Sequence, residues 1–403
     1  MSPKETPTTY AELLTNIRQL SIAITLPSPA ERDTAGHIAQ DGLTLTLHHA
    51  GVQTPFTLPG KVDLTHNTLP APRLGSHTIS WRLPLKADSS STPSPRSSPH
   101  DEPVPWTATD LQPSSAVKCR RCSSAVVPEG KVAEWKDLPS ENWAEMMDFW
   151  HCHKPTDHEH SEDHEHLARR GYGANSSIAA QAGVGLVDLT SFLFSESDCT
   201  GLVFTSPSGD AAASEDSSSA VLAGGPDPPP RMLHVSCSAC ASHIGFFNVA
   251  ISSVVLLKWQ VSCIALPREA SGPSSTDCLA ANLVATLSRS GSSKSVVVPT
   301  FQGEEASPAL HLWILNSNIA YASSRREGTR AAIKLLYREI SQREADAMLE
   351  SMTSDVQEVN LPTADIVAAG EALQGSSRLL PPSERVFKEW NVGLLDKWQA
   401  GSR

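Results

Sequence analysis

Apolar and polar residues alternate with period two in three early stretches of this chain, residues 21–26, 43–47 and 78–83. Alternation sends every second side chain to one face, as in a half-buried strand, and Gly and Pro punctuate the runs as in an antiparallel β domain. Ahead of them, Thr9-x-x-Glu12 reads as a capping box, with Tyr10, Leu13, Leu14 and Ile17 at helical spacing behind it. Further on, Ser140 is an N-cap for a helix whose buried stripe would be Trp143, Met147 and Trp150. Residues 244–251 and 254–261 predict two strands joined near Ser252-Ser253, and residues 296–298 and 310–315 read as buried strands. Ile333, Leu336, Tyr337 and Ile340 recur at helical spacing, and Ser341-x-x-Glu344 caps a further helix carrying Ala345, Met348 and Leu349. Phe387, Trp390, Leu394 and Trp398 make the last segment too aromatic for a frayed tail, so it is expected to dock on the body.

Two stretches break the pattern. Residues 88–103 and 206–230 are rich in Ser, Pro, Gly and Asp and carry too little apolar surface to offset the entropy of ordering. Both linkers (88–103 and 206–230) read as insertions into a continuous core rather than domain boundaries; around them lie an N-terminal β-rich region (1–87), a region with the first Cys-x-x-Cys and the Trp/Cys/His motif (104–205), and a region with the second Cys-x-x-Cys and a C-terminal α+β part (231–403). At 403 residues the chain has room for two or three domains. Its formal net charge of −12 opposes binding of phosphate backbones over a broad face, so no direct nucleic-acid partner is expected. The densest basic stretch, Arg325-Arg326 with Arg330, reads as a solvated helix start. No apolar run reaches transmembrane length and no membrane partner is expected. The N-terminal residues lack the apolar core of a secretion signal, which predicts a reducing compartment, cytoplasm or nucleus, for the eight cysteines.

Four of those cysteines form two Cys-x-x-Cys pairs, Cys119/Cys122 and Cys237/Cys240. Two thiolates on one tight turn fill half of a tetrahedral zinc site, and two such pairs fill it completely, leaving no position for substrate. The reading adopted is one structural zinc shared by both pairs; separate sites, unrelated thiols and a redox dithiol are the alternatives. The fold class expected is α+β, with an antiparallel β-rich first half, a zinc-knuckle centre, and mixed strands and helices in the C-terminal half. Cys152 and His153 end the predicted Trp143 helix, where they would serve as metal ligands, a thiol–imidazole pair or core residues. The His/acid run at 157–166 reads as a solvated, weakly chelating loop. Cys263 reads as a small core residue, Cys199 and Cys278 as more exposed thiols. No phosphate loop, His-Glu-x-x-His or Gly-x-Ser-x-Gly is present.

Several of these segments together resemble the HECT-like ubiquitin-protein ligase family that binds ubiquitin-conjugating enzymes. They are Cys119-Arg-Arg-Cys122, Leu138-Pro-Ser-Glu-Asn-Trp143 through Asp148-Phe-Trp-His-Cys-His153, Cys237-Ser-Ala-Cys240, Leu257-Lys-Trp259, and Leu380-Pro-Pro-Ser-Glu-Arg-Val-Phe-Lys-Glu-Trp390 to Trp398. The resemblance implies a protein that engages a charged ubiquitin-conjugating enzyme and promotes attachment of ubiquitin to substrate lysines. It implies residence in cytoplasm and nucleus, with cyclin or mRNA 3′-end processing factors among the protein substrates. Its alternative is a zinc-stabilised interaction protein without turnover that binds an mRNA 3′-end cleavage and polyadenylation factor. The last cysteine is Cys278, so the late catalytic cysteine of a bilobal HECT domain is not present. Cys152, in the best-matched motif, is the candidate for any thioester.

Overall fold

A computed structural model describes residues 6–63, 69–86, 104–138, 178–206, 232–265, 272–301, 308–351 and 354–399. The strands begin with β1 (Thr8–Leu14), β2 (Gln19–Thr25), β3 (Ala35–Ile38), β4 (Thr44–His49), β5 (Val52–Thr57) and β6 (Thr78–Pro84). Next come β7 (Val117–Cys119), β8 (Ala125–Val127), β9 (Glu134–Asp137), β10 (Val184–Val187), β11 (Ser191–Ser195), β12 (Leu202–Thr205), β13 (Met232–Cys237), β14 (His243–Asn248), β15 (Ser253–Leu257) and β16 (Val261–Ser262). The series ends with β17 (Lys294–Pro299), β18 (Ala309–Ser323), β19 (Arg326–Ile340), β20 (Gln357–Leu361), β21 (Val386–Phe387) and β22 (Trp390–Asp396). Among the described residues the α-helices are α1 (Ser275–Ser290), α2 (Gln342–Leu349) and α3 (Thr363–Ser377). None is long and apolar enough to cross a membrane.

The chain divides into two compact units, residues 1–103 with 283–397, and residues 104–282 with 398–403. In the first, the sheet order is β21-β22-β19-β18-β1-β2-β6, with β17 paired to β18 and β20 parallel to β17. Strand β18 pairs with β17 through its first half and with β1 through its second, and its ladder with β19 is irregular between Ile314 and Ile319. β1 is buried on both faces: Tyr10 packs with Tyr321, Leu336 and Trp390, and Ala11 with Leu20, Ile22 and Trp81. A strand covered on both sides loses its polar alternation. That is why Tyr10, Leu13 and Leu14 mimic helical spacing; residues 8–14 are strand, and only Thr15–Ile17 makes a 3-10 turn. Glu12 caps nothing. It accepts a hydrogen bond from Tyr10 Oη (2.8 Å) and pairs with Lys334 Nζ at 2.9 Å.

The second helix-like pattern, Ile333 to Ile340, is likewise strand. β19 lies between β18 and β22, with Ile333, Leu335, Leu336 and Tyr337 all buried. Arg325 therefore lies in the turn of the β18–β19 hairpin and Arg326 opens β19, so the pair is not a helix start. The capping box at Ser341 is real: Glu344 N–H donates to Ser341 Oγ, and Glu344 Oε2 accepts from Ser341 N–H. The C-terminal segment forms β21 and β22 and buries Trp390 and Leu394, whereas Phe387 stays 53% exposed at the hairpin tip; Trp398, beyond β22, is buried in the core of the second unit. The first half is β-rich with antiparallel sheets, as expected; the second half is strand-dominated too, and its helices are few.

In the second unit the sheet order is β12-β13-β14-β15-β11-β10-β9, and β16-β7-β8 forms a separate three-stranded sheet. The core is aromatic: Phe192 stacks on Trp106 and lies tilted against Trp135, whose ring meets Phe194 edge-on. Residues 244–248 and 253–257 are the expected strand pair. The two Ser/Pro-rich linkers, apart from Ser206, lie outside the described residues, as do Trp143, Met147, Trp150, Cys152, His153 and the 157–166 run.

Candidate metal centre

The hairpin from β7 to β8 turns at Cys119–Cys122, and the hairpin from β13 to β14 turns at Cys237–Cys240. The two turns are built alike. Cys119 N–H donates to Ser124 O (2.9 Å) and Ser123 N–H to Cys119 O (2.9 Å). Cys237 N–H donates to Ser242 O (2.9 Å) and Ala241 N–H to Cys237 O (2.8 Å). In each, the residue after the second cysteine sits in the left-handed region, Ser123 at φ 62° and Ala241 at φ 56°. This closes the turn tightly enough to aim both thiols of a pair to one side.

The two pairs face each other. All four Sγ atoms lie within 4.8 Å of one another. Cys119 Sγ is 3.7 Å from Cys240 Sγ, and Cys122 Sγ is 3.6 Å from Cys237 Sγ. A tetrahedron with metal–sulfur bonds of about 2.3 Å has edges of about 3.8 Å, so the array fits a tetrahedral thiolate site of zinc type.

The surroundings favour the thiolate at Cys122 and Cys240 and oppose it at Cys119. Ser124, through its hydroxyl and N–H, brings Cys122 down to about 6, and Ser242 does the same in direction for Cys240. Burial pushes Cys119 up to about 12, the cost an ion would have to offset. Four thiolates around a dication sum to −2, and Arg120 and Arg121 of the first turn supply two positive charges. Arg121 Nη1 reaches Ser242 Oγ across the site at 3.3 Å. Arg120 points the other way and ties the turn down: its guanidinium donates to Pro273 O (2.7 Å), Val261 O (3.2 Å) and Lys258 O (3.3 Å), and its N–H to Gln260 O (3.0 Å). Lys258 is itself buried, with Nζ donating to Pro105 O and to Trp106 O (3.0 Å).

A third segment joins the two turns. Thr200 N–H donates to Val126 O beyond the first, and Ser238 N–H inside the second donates to Gly201 O, both at 2.9 Å. Gly201 has φ 62°, and a Cβ there would meet Ser238 Oγ at 3.3 Å. The short residues at 200–201 therefore hold together two turns that are distant in sequence.

Comparison with known proteins is decisive here. The profile of the HECT-like ubiquitin-conjugating enzyme (E2)-binding family matches residues 12–392. The chain belongs to this family. The uncharacterized protein YJR141W of Saccharomyces cerevisiae is 24% identical over 289 residues, 71% of this chain and 71% of its own length. The uncharacterized protein C1734.10c of Schizosaccharomyces pombe is 48% identical over 54 residues, 12% of this chain and 15% of its own length. No solved structure matches.

In this E2-binding family member, the described thiols outside the cluster are all withdrawn. Cys199 and Cys263 are half-buried against the core, and burial pushes each thiol up to about 12. Cys278, expected near the surface, is fully buried on α1. The Ser/Asp-rich turn before it is a cap: Asp277 accepts from Ser274 N–H, and Asp277 N–H donates to Ser274 Oγ. Reading Ser274-x-x-Asp277 as a capping pair would have turned Cys278 inward. Ser124, Ser242, Thr200 and Gly201 were missed as well. The repeated Cys-x-x-Cys-x-Ser is a legible signal for the two serines; nothing local marks residues 200 and 201.

Proposed function

We propose that this protein is a ubiquitin-protein ligase. It engages a charged ubiquitin-conjugating enzyme and promotes transfer of its ubiquitin to substrate lysines, with one structural zinc held by Cys119, Cys122, Cys237 and Cys240. The observation that carries the reading is the family match across residues 12–392, nearly the whole chain. The four-thiol cluster supports the zinc, because a tetrathiolate set leaves no open position and acts as a staple. Cytoplasm and nucleus, where thiols stay reduced, are the proposed residence.

Transfer takes one of two forms. In the covalent form a thiolate of this chain attacks the enzyme–ubiquitin thioester carbonyl, a new thioester forms, and the bond to the conjugating enzyme's sulfur breaks, releasing it as a thiolate that takes a proton from water. Cys152 is the residue proposed for this, since the described thiols outside the cluster are buried or half-buried. In the adaptor form the protein holds the charged enzyme in a reactive pose and the substrate lysine attacks directly. The test mixes the full chain with activating enzyme, a panel of conjugating enzymes and ubiquitin, followed on non-reducing gels. A thiol-sensitive adduct lost in Cys152→Ser supports the covalent form. Faster discharge without an adduct supports the adaptor form. Unchanged discharge across the panel would overturn the ligase reading.

A further inference from the structure

A cleft of about 1230 Å³ opens in the first unit. It is lined by residues 54–57 of β5, by residues 6–8 at the start of β1, by residues 25–27 at the end of β2, and by residues 322–329, the β18–β19 turn with the strand ends that flank it. Two properties of this lining point to one kind of occupant.

The first is a free strand edge. β5 ends the three-stranded sheet β3-β4-β5, so among the described residues its outer edge pairs with no strand. Thr54 and Phe56 are only half-buried. An extended peptide can add to such an edge through main-chain hydrogen bonds. Pro55 offers no N–H, which limits the added pairing to a short segment.

The second is uncompensated positive charge. Arg325, in the cleft wall, donates from Nη1 to Arg378 O at 3.2 Å, and Arg385 Nη2 donates to the same oxygen at 3.3 Å. Two guanidinium groups thus converge on one carbonyl. The pKa of Arg385 is lowered by burial and by the charges of Arg325 and Arg378. None of these three arginines forms an ion pair with a carboxylate among the described residues. The nearby cations that have partners show the contrast: Arg326 pairs with Asp396 at 2.8 Å and Lys334 with Glu12 and Glu384. Glu327 is the carboxylate in the cleft lining and is exposed. In a chain of net charge −12, three clustered arginines without an ion pair among the described residues mark a place where a partner's anion is favoured.

We propose that this cleft binds a short, extended acidic peptide segment of a partner protein, paired along β5 and read by Arg325 with Arg378 and Arg385 beside it. A long polyanion is disfavoured by the net charge, whereas a peptide with a few carboxylates gains the local arginines without meeting the whole field. The inference stands independently of the ligase reading.

Fluorescence anisotropy on the full chain tests it, with a rhodamine-labelled peptide in which Glu alternates with Val. The wild-type protein is expected to bind saturably, with affinity falling as salt rises. Arg325→Glu is expected to weaken binding at least about tenfold, and Arg325→Gln less. Thr54→Trp, which fills the cleft and leaves the arginines untouched, should abolish binding while the thermal midpoint is retained. Absence of saturable binding, equal binding of a Lys-Val peptide, indifference to all three substitutions, or tighter binding of a single-stranded RNA of equal charge would each overturn the proposal.

Discussion

Cys119 Sγ lies 3.7 Å from Cys240 Sγ, although 121 positions separate the two residues. Closing a loop of that length costs entropy that one contact cannot return. Strand pairing, the residue 200–201 bridge and the sulfur cluster share it. A metal bound to all four thiols would add its binding free energy directly to folding.

The serines beside the second cysteine of each turn should tune that metal. Ser124→Ala and Ser242→Ala each remove a hydroxyl donor from a thiolate. Each is expected to weaken zinc retention about 10- to 100-fold, read by competition against a chromogenic chelator, with little change in fold. Retention equal to wild type in both would mean that the hydroxyls do not act on the sulfurs.

Arg120 is expected to matter through packing. Its guanidinium bonds three carbonyls, and it passes so close to Gly272 that a Cβ there would lie 2.0 Å from Nη2. Arg120→Ala leaves those carbonyls without their donor and should cost about 2–3 kcal/mol in chemical denaturation. Arg120→Lys should recover only part, since an ammonium cannot span the same fork.

Gly245 on β14 offers a sharper steric test. A Cβ there would lie 1.9 Å from Val255 O on β15. Gly245→Ala must push the two strands apart and is expected to destabilise the chain by about 1–3 kcal/mol. A thermal midpoint unchanged within error would show that the strands can separate without cost.

These sites mark how far the sequence could be read. The Cys-x-x-Cys pairs, the Ser341 capping box and the strands at 244–248 and 253–257 were legible because their signals are local: a turn spacing, a cap, a short apolar run. β1 and β19 were not. Tyr10 and Leu336 pack on one face of the same sheet while Ala11 and Leu20 pack on the other, and burial on both faces erases the alternation that identifies a strand. Cys278 was misplaced because a cap at Ser274 reads as a turn until the helix behind it is seen. The bridge at Thr200 and Gly201 had no sequence signal, since it works through backbone groups alone.

His311 gives a pH test away from the thiols, whose own protonation would confuse one in the second unit. Burial, then the charge of Arg338, lowers its pKa from 6.5 to about 4. Its ring lies against Trp390 with centroids 4.7 Å apart. Between those two values the unfolded chain binds a proton that the folded chain refuses, so stability falls as pH falls from 6.5 towards 4. His311→Phe should flatten that slope in urea denaturation measured at steps across the window. An unchanged slope would mean that His311 titrates normally in the fold.

Native mass spectrometry of the full chain tests the shared metal centre most directly. One zinc per chain is expected, lost equally in Cys119→Ser and Cys237→Ser, with the wild-type thermal midpoint dropping on chelation. Two ions per chain, unequal loss between the two substitutions, or a metal-free protein that still unfolds cooperatively at the same temperature would contradict it.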